Sequence, residues 1–411
     1  MAAEARRAPD GVCFVMWGFP EPTQTFIHRE YQEMLRQGMR VRILAGDRLP
    51  AGGQPDDVRG IAENSTIWLG NPVLWFVKGL FAGTFSRLPF WRTQLWMASF
   101  PHKSLLHRLR AAAMVCAAAS AAAKVRAAGV RHLHAQFGSY PTELAMALAR
   151  MLGLTCGGTW HAVDIWKDAN ILREKIANSA VVFTCTKFNA DHLREVAGDA
   201  ADKVVLSYHG LDFSRLPEPA PIPEEEIPTV VAIGRLVPKK GFAFLLRALA
   251  SLKEAGFPVR LRLVGEGPLE AELRKTAEEL GIAELVEFAG ALSNAETLRV
   301  VNESQLLVAP SIRDRQGNID GIPNVTLEAM ALGRPVVGTR LSGIPEVVND
   351  ATGALVDPED ADGLAGAVRS LLEDRGGLLR RGAAAREFVL ARFDIRRNIR
   401  VQLDFLSDLL R

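Results

Sequence analysis

The sequence predicts an α/β protein built from two Rossmann-like, doubly wound parallel-sheet domains that face a cleft. Three observations predict it. The chain has 411 residues, more than one ordinary core accommodates. Strand-like and helix-like segments alternate in both halves, the pattern of a parallel sheet covered by helices. Between the halves, Leu216 to Pro228 (LPEPAPIPEEEIP) is Pro-rich, acidic and poor in apolar residues, and reads as an interdomain linker. The expected division is therefore residues 1–212, a linker at 213–228, a second domain at 229–390, and a last helix at 391–411 that crosses back to the first domain.

In the first half, GVCFVMW is the opening strand, FIHREYQEMLRQ an amphipathic helix closed by Gly38, and RVRILAG a second strand. After a basic, aromatic stretch come strand VRHLHAQ, helix PTELAMALARML, strands LTCGGTW and AVVFTCT, helix KFNADHLREVAG and strand VVLSYHG. The second half runs strand TVVAIGR, helix FAFLLRALASLKEAG, strand VRLRLVGEG, helix LEAELRKTAEELG, strand LVEFAG, helix NAETLRVVNES and strand QLLVAP. A polar Gly-rich loop, helix NVTLEAMALG, strand PVVGT and terminal helices complete it.

The segment Ser311 to Glu346 carries the most chemistry. Asp320 lies in a Gly/Pro loop and Glu328 on the helix that follows, with seven residues between them. Pro323 suits the first helical position, and Gly333 ends the helix. A helix N-terminus behind a flexible loop favours a phosphate, because free N–H groups and the positive dipole end point at it. Two carboxylates beside it suit a vicinal diol, so phosphate plus diol describes a nucleotide sugar. Taken singly, Asp320 reads as a turn residue and Glu328 as a surface helix residue. At the carboxyl end of a strand in an open α/β sheet, the segment stands where ligands bind.

Ile233 to Gly241 (IGRLVPKKG) marks a second strand-to-helix junction. Gly234 lets a ligand approach the backbone, Arg235 can fork two oxygens, and Lys240 is a compact cation. These are the needs of a departing diphosphate; solvated surface cations are the competing reading.

The Asp320-x7-Glu328 spacing, the flanking GIPN and LEAMA, the later SGIPE and the GRLVPKKG segment together resemble the retaining glycosyltransferases of family four, which have the GT-B fold. Asp320 departs from the usual Glu by one methylene. The resemblance implies transfer of a sugar from a UDP- or GDP-sugar with retention of configuration, and no cofactor or metal. By the motif match Arg235 and Lys240, with Gly234, hold the diphosphate, and Glu328 holds the ribose. Asp320 and the loop Gly321, Ile322, Pro323 and Asn324 orient the sugar. TWHAVDIW resembles the family's THxxD segment, which puts His161 at the reaction centre; a structural histidine is the alternative. His134 in HLHAQF resembles another such strand end. GFPEPTQTFIHRE resembles the opening of the exopolysaccharide branch, where Thr23, Gln24 and Thr25 would touch acceptor or phosphates, unless Thr23 merely caps the next helix.

Between Glu63 and Glu143 there is no acidic residue, while nine Lys and Arg are interleaved with aromatic residues. Segment 64–110 is thus expected to meet an anionic membrane surface, with a plain core helix pair as the alternative. Nucleic acid is disfavoured because the cations do not cluster. A glycan or polyprenyl-linked acceptor follows from membrane contact; a small soluble acceptor is the alternative. The Ala-rich run Ala111 to Ala123 is too short for a span and reads as a buried helix. The four cysteines show no metal-ligand spacing, and Asp360-Ala361-Asp362 reads as a helix cap rather than a manganese site. No apolar leader is evident, so a cytoplasmic protein is expected, with the inner face of the plasma membrane as its docking surface if the basic segment binds lipid. A nucleotide-sugar 2-epimerase, a dehydrogenase and a non-catalytic partner subunit are the competing functions; no GxGxxG follows a strand, which counts against the dehydrogenase.

Overall fold

The computed structural model describes residues 11–19, 25–48, 66–86 and 89–411. They form two compact units: the chain up to Gly210 together with Ile395–Arg411, and Leu211–Asp394.

The first unit is built on a seven-stranded sheet of order β3-β2-β1-β4-β5-β6-β7. Its strands are β1 (Val12–Phe19), β2 (Val41–Arg48), β3 (Thr66–Trp68), β4 (His132–Gln136), β5 (Thr155–Trp160), β6 (Val182–Thr184) and β7 (Val204–Leu206). The second carries six strands in the order β10-β9-β8-β11-β12-β13. These are β8 (Thr229–Ile233), β9 (Arg260–Val264), β10 (Val286–Gly290), β11 (Leu306–Ala309), β12 (Val336–Thr339) and β13 (Gly353–Val356). Every ladder is parallel. Near-continuous apolar strands follow, since both faces are covered. Strand order reverses at β1/β4 and at β8/β11, the places where open sheets of this kind bind ligands.

In the first unit, helix α1 (Thr25–Arg36) packs on β1 and β2 through Ile27, Tyr31 and Met34. The last helix, Ile395–Leu409, joins that cluster with Ile399, Leu403 and Leu406. The basic, aromatic stretch folds as α2 (Pro72–Phe85), α3 (Phe90–Ala98) and α4 (Leu105–Ala127). Helix α4 extends the Ala-rich run at both ends, and among the described residues no helix is long and apolar enough to cross a membrane. Helix α2 is turned against ordinary expectation. It buries Trp75, Gly79 and Gly83 and exposes larger apolar residues, Val73 at 73%, Phe81 at 67% and Phe85 at 76%. A Cβ on Gly79 would lie 1.8 Å from the Cys116 carbonyl oxygen, so α2 meets α4 backbone to backbone.

In the second unit the segment read as a linker packs on its own sheet and helices. Ile222 is buried in the core, and Arg375 donates to the Pro223 carbonyl at 2.9 Å. The prolines deny the segment a helix or strand, while one apolar anchor is enough to hold it down. After α5 (Tyr140–Leu152), α6 (Leu172–Ala177) and α7 (Lys187–Ala197) of the first unit, helix α8 (Phe242–Glu254) follows β8, α9 (Glu270–Glu279) follows β9, α10 (Asn294–Asn302) follows β10, and α11 (Asn324–Ala331) follows the polar loop after β11. Pro323 stands one place earlier than expected: with ψ 129 it is the N-cap of α11, not its first helical residue. Asp360 caps the helix Ala361–Glu373 by accepting from the Gly363 N–H at 2.8 Å.

Candidate functional site

At the β8/β11 switch two loops converge. The Ile312 N–H donates to the Lys239 carbonyl at 2.9 Å, tying the loop after β11 to the one after β8. Gly241 allows it: φ is +67, and a Cβ there would sit 1.8 Å from the Pro310 carbonyl oxygen. Glycines of the VGEG turn after β9 serve the same junction. A Cβ on Gly265 would meet the Gly234 carbonyl oxygen at 2.1 Å, and one on Gly267 the Leu236 carbonyl oxygen at 2.5 Å. Close backbone packing thus accounts for these glycines.

On this frame the Asp320 carboxylate lies between two ammonium groups, Lys239 Nζ at 2.8 Å and Lys240 Nζ at 2.7 Å. All three side chains are mostly covered, at 14, 23 and 17% exposure. Burial works to raise the Asp320 pKa, but the charges and hydrogen bonds of Lys240 and Lys239 prevail and hold it at about 2. The cluster of two cations and one anion keeps a net positive charge. Arg235 is exposed and forms no ion pair with a described residue, so its fork is open to a ligand. No side chain caps α11 at Pro323, which leaves its first turn for an anion. Glu328 lies buried on the second turn of α11, and Gly321, Ile322, Pro323 and Asn324 are half-buried in the approach to it. The fold therefore brings together Gly234, Arg235, Lys240, Asp320 and Glu328 in one unit, and adds Lys239, which sequence reasoning passed over beside its neighbour.

A second cluster stands at the strand ends of the first unit. His161 follows β5 directly and is 8% exposed. Its backbone N–H donates to Asp164 Oδ2 at 3.1 Å, fixing the entry to a single π-helical turn, Val163–Lys167. The ring lies between Phe26 and Phe137, with centroids at 4.8 and 4.9 Å, and stacks on His209 at 5.3 Å. Phe137 adopts φ +97, a strained backbone for a bulky residue. Burial, then the neighbouring His209 and His134, push the His161 pKa well below its ordinary range, so the ring is neutral. Burial pushes Asp164 up to about 6, against hydrogen bonds from the Gly138 and His161 N–H groups. His209 goes the other way. Burial lowers its pKa, yet Cys185 and Glu30 outweigh it and raise it to about 10, with the His209 Nδ1 to Glu30 Oε1 distance at 2.7 Å. Sequence spacing hid His161, Cys185 and His209 as a group. Each nonetheless stands at or just past the end of an apolar strand, at 24-residue intervals, one strand–helix–strand step apart.

The expectation for His134 is corrected. It sits in the middle of β4, fully buried, with Nε2 2.8 Å from Thr159 Oγ1 and its ring against Phe14. The HLHAQ strand continues two residues past it, which removes it from the strand end. Thr25 opens α1; Thr23 and Gln24 lie outside the described residues.

Residues 227–374 match the family model "Glycosyl transferases group 1". A putative colanic acid biosynthesis glycosyltransferase of Escherichia coli is 36% identical over 170 residues, 41% of this chain and 42% of that protein. A GDP-mannose-dependent alpha-(1-6)-phosphatidylinositol monomannoside mannosyltransferase of Mycobacterium tuberculosis is 34% identical over 265 residues, 62% of this chain and 68% of the relative. The chain thus spans less than half of the first relative's length and about two thirds of the second's. Among solved structures, a glycosyltransferase from Rickettsia africae superposes with a TM-score of 0.71 at 15% identity, covering 98% of this chain and 99% of the other. Anabaena HepE in complex with UDP gives 0.69 at 16% identity, over 97% of this chain and all of that one. The fold is GT-B.

Proposed function

The chain belongs to the group 1 glycosyltransferases, and from that premise we propose that it transfers a sugar, with retention, from a UDP- or GDP-sugar to a glycan or polyprenyl-linked acceptor in surface or exopolysaccharide synthesis. The observation that carries the reading is the Lys239–Asp320–Lys240 cluster beside the open Arg235 at the β8/β11 switch. Charge grows on a diphosphate as the sugar–oxygen bond breaks, and preorganised cations favour that state over the ground state. In this reading Arg235 and Lys240 hold the departing diphosphate, and no metal is called for to neutralise it. Asp320 sets the position of the two lysines and, with the 321–324 loop, orients the donor sugar. Glu328 accepts from the ribose diol, and His161 meets the sugar as a neutral hydrogen-bonding group. Attack occurs on the face the diphosphate leaves, and the departing phosphate oxygen takes the acceptor proton. HepE, with UDP in its structure, and the GDP-mannose-dependent relative support a nucleotide-sugar donor. The colanic acid relative supports an exopolysaccharide setting.

The test is a screen of UDP- and GDP-sugars for slow donor hydrolysis, followed by addition of lipid-linked acceptors. Turnover that rises with acceptor and leaves the anomeric configuration unchanged is expected. A donor isomerised at C2 without any acceptor would replace this reading with an epimerase.

The membrane part of the proposal rests on α2. A water-facing helix buries its large apolar residues, whereas helices that face lipid pack through small ones, as Gly79 and Gly83 do here. Trp91 and Leu95 on α3 and Leu105 and Leu109 on α4 are exposed as well, as are the cations Lys78, Arg92 and Arg108 of the same three helices. Flotation with liposomes containing anionic lipid should carry the wild type and not Phe81→Asp/Phe85→Asp. Equal recovery of the two, or none with either, contradicts lipid docking.

A further inference from the structure

We propose that His161, Cys185 and His209 form a binding site for one soft divalent cation of the zinc class. The three residues stand at the carboxyl ends of β5, β6 and β7, and one ligand atom from each lies within 4.8 Å of the other two. In a tetrahedral zinc site such atoms stand about 3.5 Å apart, so side-chain rotations of about 1 Å close the set. A thiolate with two imidazoles selects zinc-like ions over magnesium or calcium, which prefer oxygen ligands.

Two further observations point to a ligand. Nε2 of His161 is buried with no hydrogen-bond partner among the described residues, an atom that normally has one. Glu30, 2% exposed on α1, already holds His209 Nδ1 at 2.7 Å. A carboxylate behind a ligating imidazole is the usual outer partner of a metal histidine, fixing its tautomer; the same ring is hydrogen-bonded to Cys185, the neighbour with which it would share the ion. The ion takes the place of the proton in the His209–Cys185 hydrogen bond, and that proton passes to water. The ion then faces two negative groups, the Cys185 thiolate and the Glu30 carboxylate, which balance its charge. Three protein ligands leave the fourth position for water or a small ligand, the open arrangement of a reactive rather than a purely structural site. An ion there engages the ring of His161, so metal and sugar would compete for it; that clause alone rests on the function proposed above.

The test uses the full chain, reduced and stripped by chelator, titrated with cobalt(II) and then zinc(II). One equivalent of cobalt should produce a thiolate-to-cobalt charge-transfer band that one equivalent of zinc abolishes. Cys185→Ser should lose the band, and Glu30→Gln should keep it with affinity lowered about 10–100-fold. Cys156→Ser, a buried thiol elsewhere in the first unit, should behave as wild type. Near-ultraviolet circular dichroism verifies that each variant is folded. A band unchanged in Cys185→Ser, or no saturable band in folded wild type, overturns the site. Should Cys185→Ser fail to fold, alkylation of the wild type decides: zinc should protect Cys185 from the reagent, and equal labelling with and without zinc overturns the proposal.

Discussion

At the carboxyl ends of β8 and β11 a carboxylate stands between two ammonium groups, and the exposed guanidinium of Arg235 in the same loop forms no ion pair with a described residue. At the carboxyl ends of β5, β6 and β7 two imidazoles and a thiol are packed among phenyl rings. Both clusters occupy the ligand-binding edge of a parallel sheet, yet they hold their polar groups by different physics. In the second unit, opposite charges are kept together while partly reachable by water, so an anion can join them and tip the balance. In the first unit, burial strips the charge from His161 and concentrates it on His209, where Glu30 compensates it. One edge is built to meet charge; the other presents a neutral, oriented hydrogen-bonding group.

The largest effect should appear where an ion pair is buried outright. Lys175 and Glu143 in the first unit are 1 and 2% exposed at 3.0 Å, and Lys175 also donates to the Gly138 carbonyl at 2.8 Å, beneath the His161 turn. Lys175→Ala leaves a buried carboxylate unpaired and should lower stability by about 3–5 kcal/mol in chemical denaturation. A loss under about 1 kcal/mol would mean that this unit is no drier than the other. Next comes the open cation. Arg235→Ala should reduce donor turnover by about 10²–10³-fold with stability unchanged, the scale for removing one preorganised partner of a developing charge. Near-normal turnover would remove Arg235 from the diphosphate.

The half-open cluster should show its worth in acid. Asp320 titrates at about 2 when folded against an ordinary 3.8, so it stabilises the protein above about pH 4, and the benefit disappears as pH falls through 2. Compared with Asp320→Asn, the wild type should be more stable by about 2 kcal/mol at pH 6, with the two converging near pH 2. A constant difference across that range would show that the lysines do not hold the carboxylate. His209 provides the mirror image. Its raised pKa, about 10 against 6.5, places its stabilisation below pH 6.5 and removes it as pH rises through 10. In chelator-treated protein, the stability difference between wild type and His209→Gln should therefore shrink on the alkaline side, where that for Asp320→Asn stays flat.

The two edges were unequally legible in the sequence. The second-unit site could be read because its residues lie in two short segments, 234–241 and 320–328, whose glycines, prolines and charges stand out against apolar strands. Even there the contact that organises it, Asp320 with both lysines, joins residues 80 and 81 positions apart and depends on Gly241 admitting the Pro310 carbonyl. The first-unit cluster draws one residue from each successive strand end and its brace, Glu30, from α1. Only the parallel register of β5, β6 and β7 aligns them. His134 misled for a related reason, since a strand's last residues cannot be told from its middle by periodicity alone. The outward face of α2 was legible as composition, basic and aromatic without acids. Its orientation was not, because it follows from two glycines, Gly79 seated on the α4 backbone and Gly83 under the Phe90 ring of α3.

The central claim is that the edge at β8 and β11 grips a nucleoside diphosphate. Calorimetric titration of the folded wild type with UDP and GDP tests it most directly, with Arg235→Ala and Lys240→Ala alongside. Saturable one-to-one binding of at least one of the two nucleotides, weakened in both variants, is expected. Absence of binding by either nucleotide to the folded wild type, or affinity indifferent to both substitutions, would contradict it.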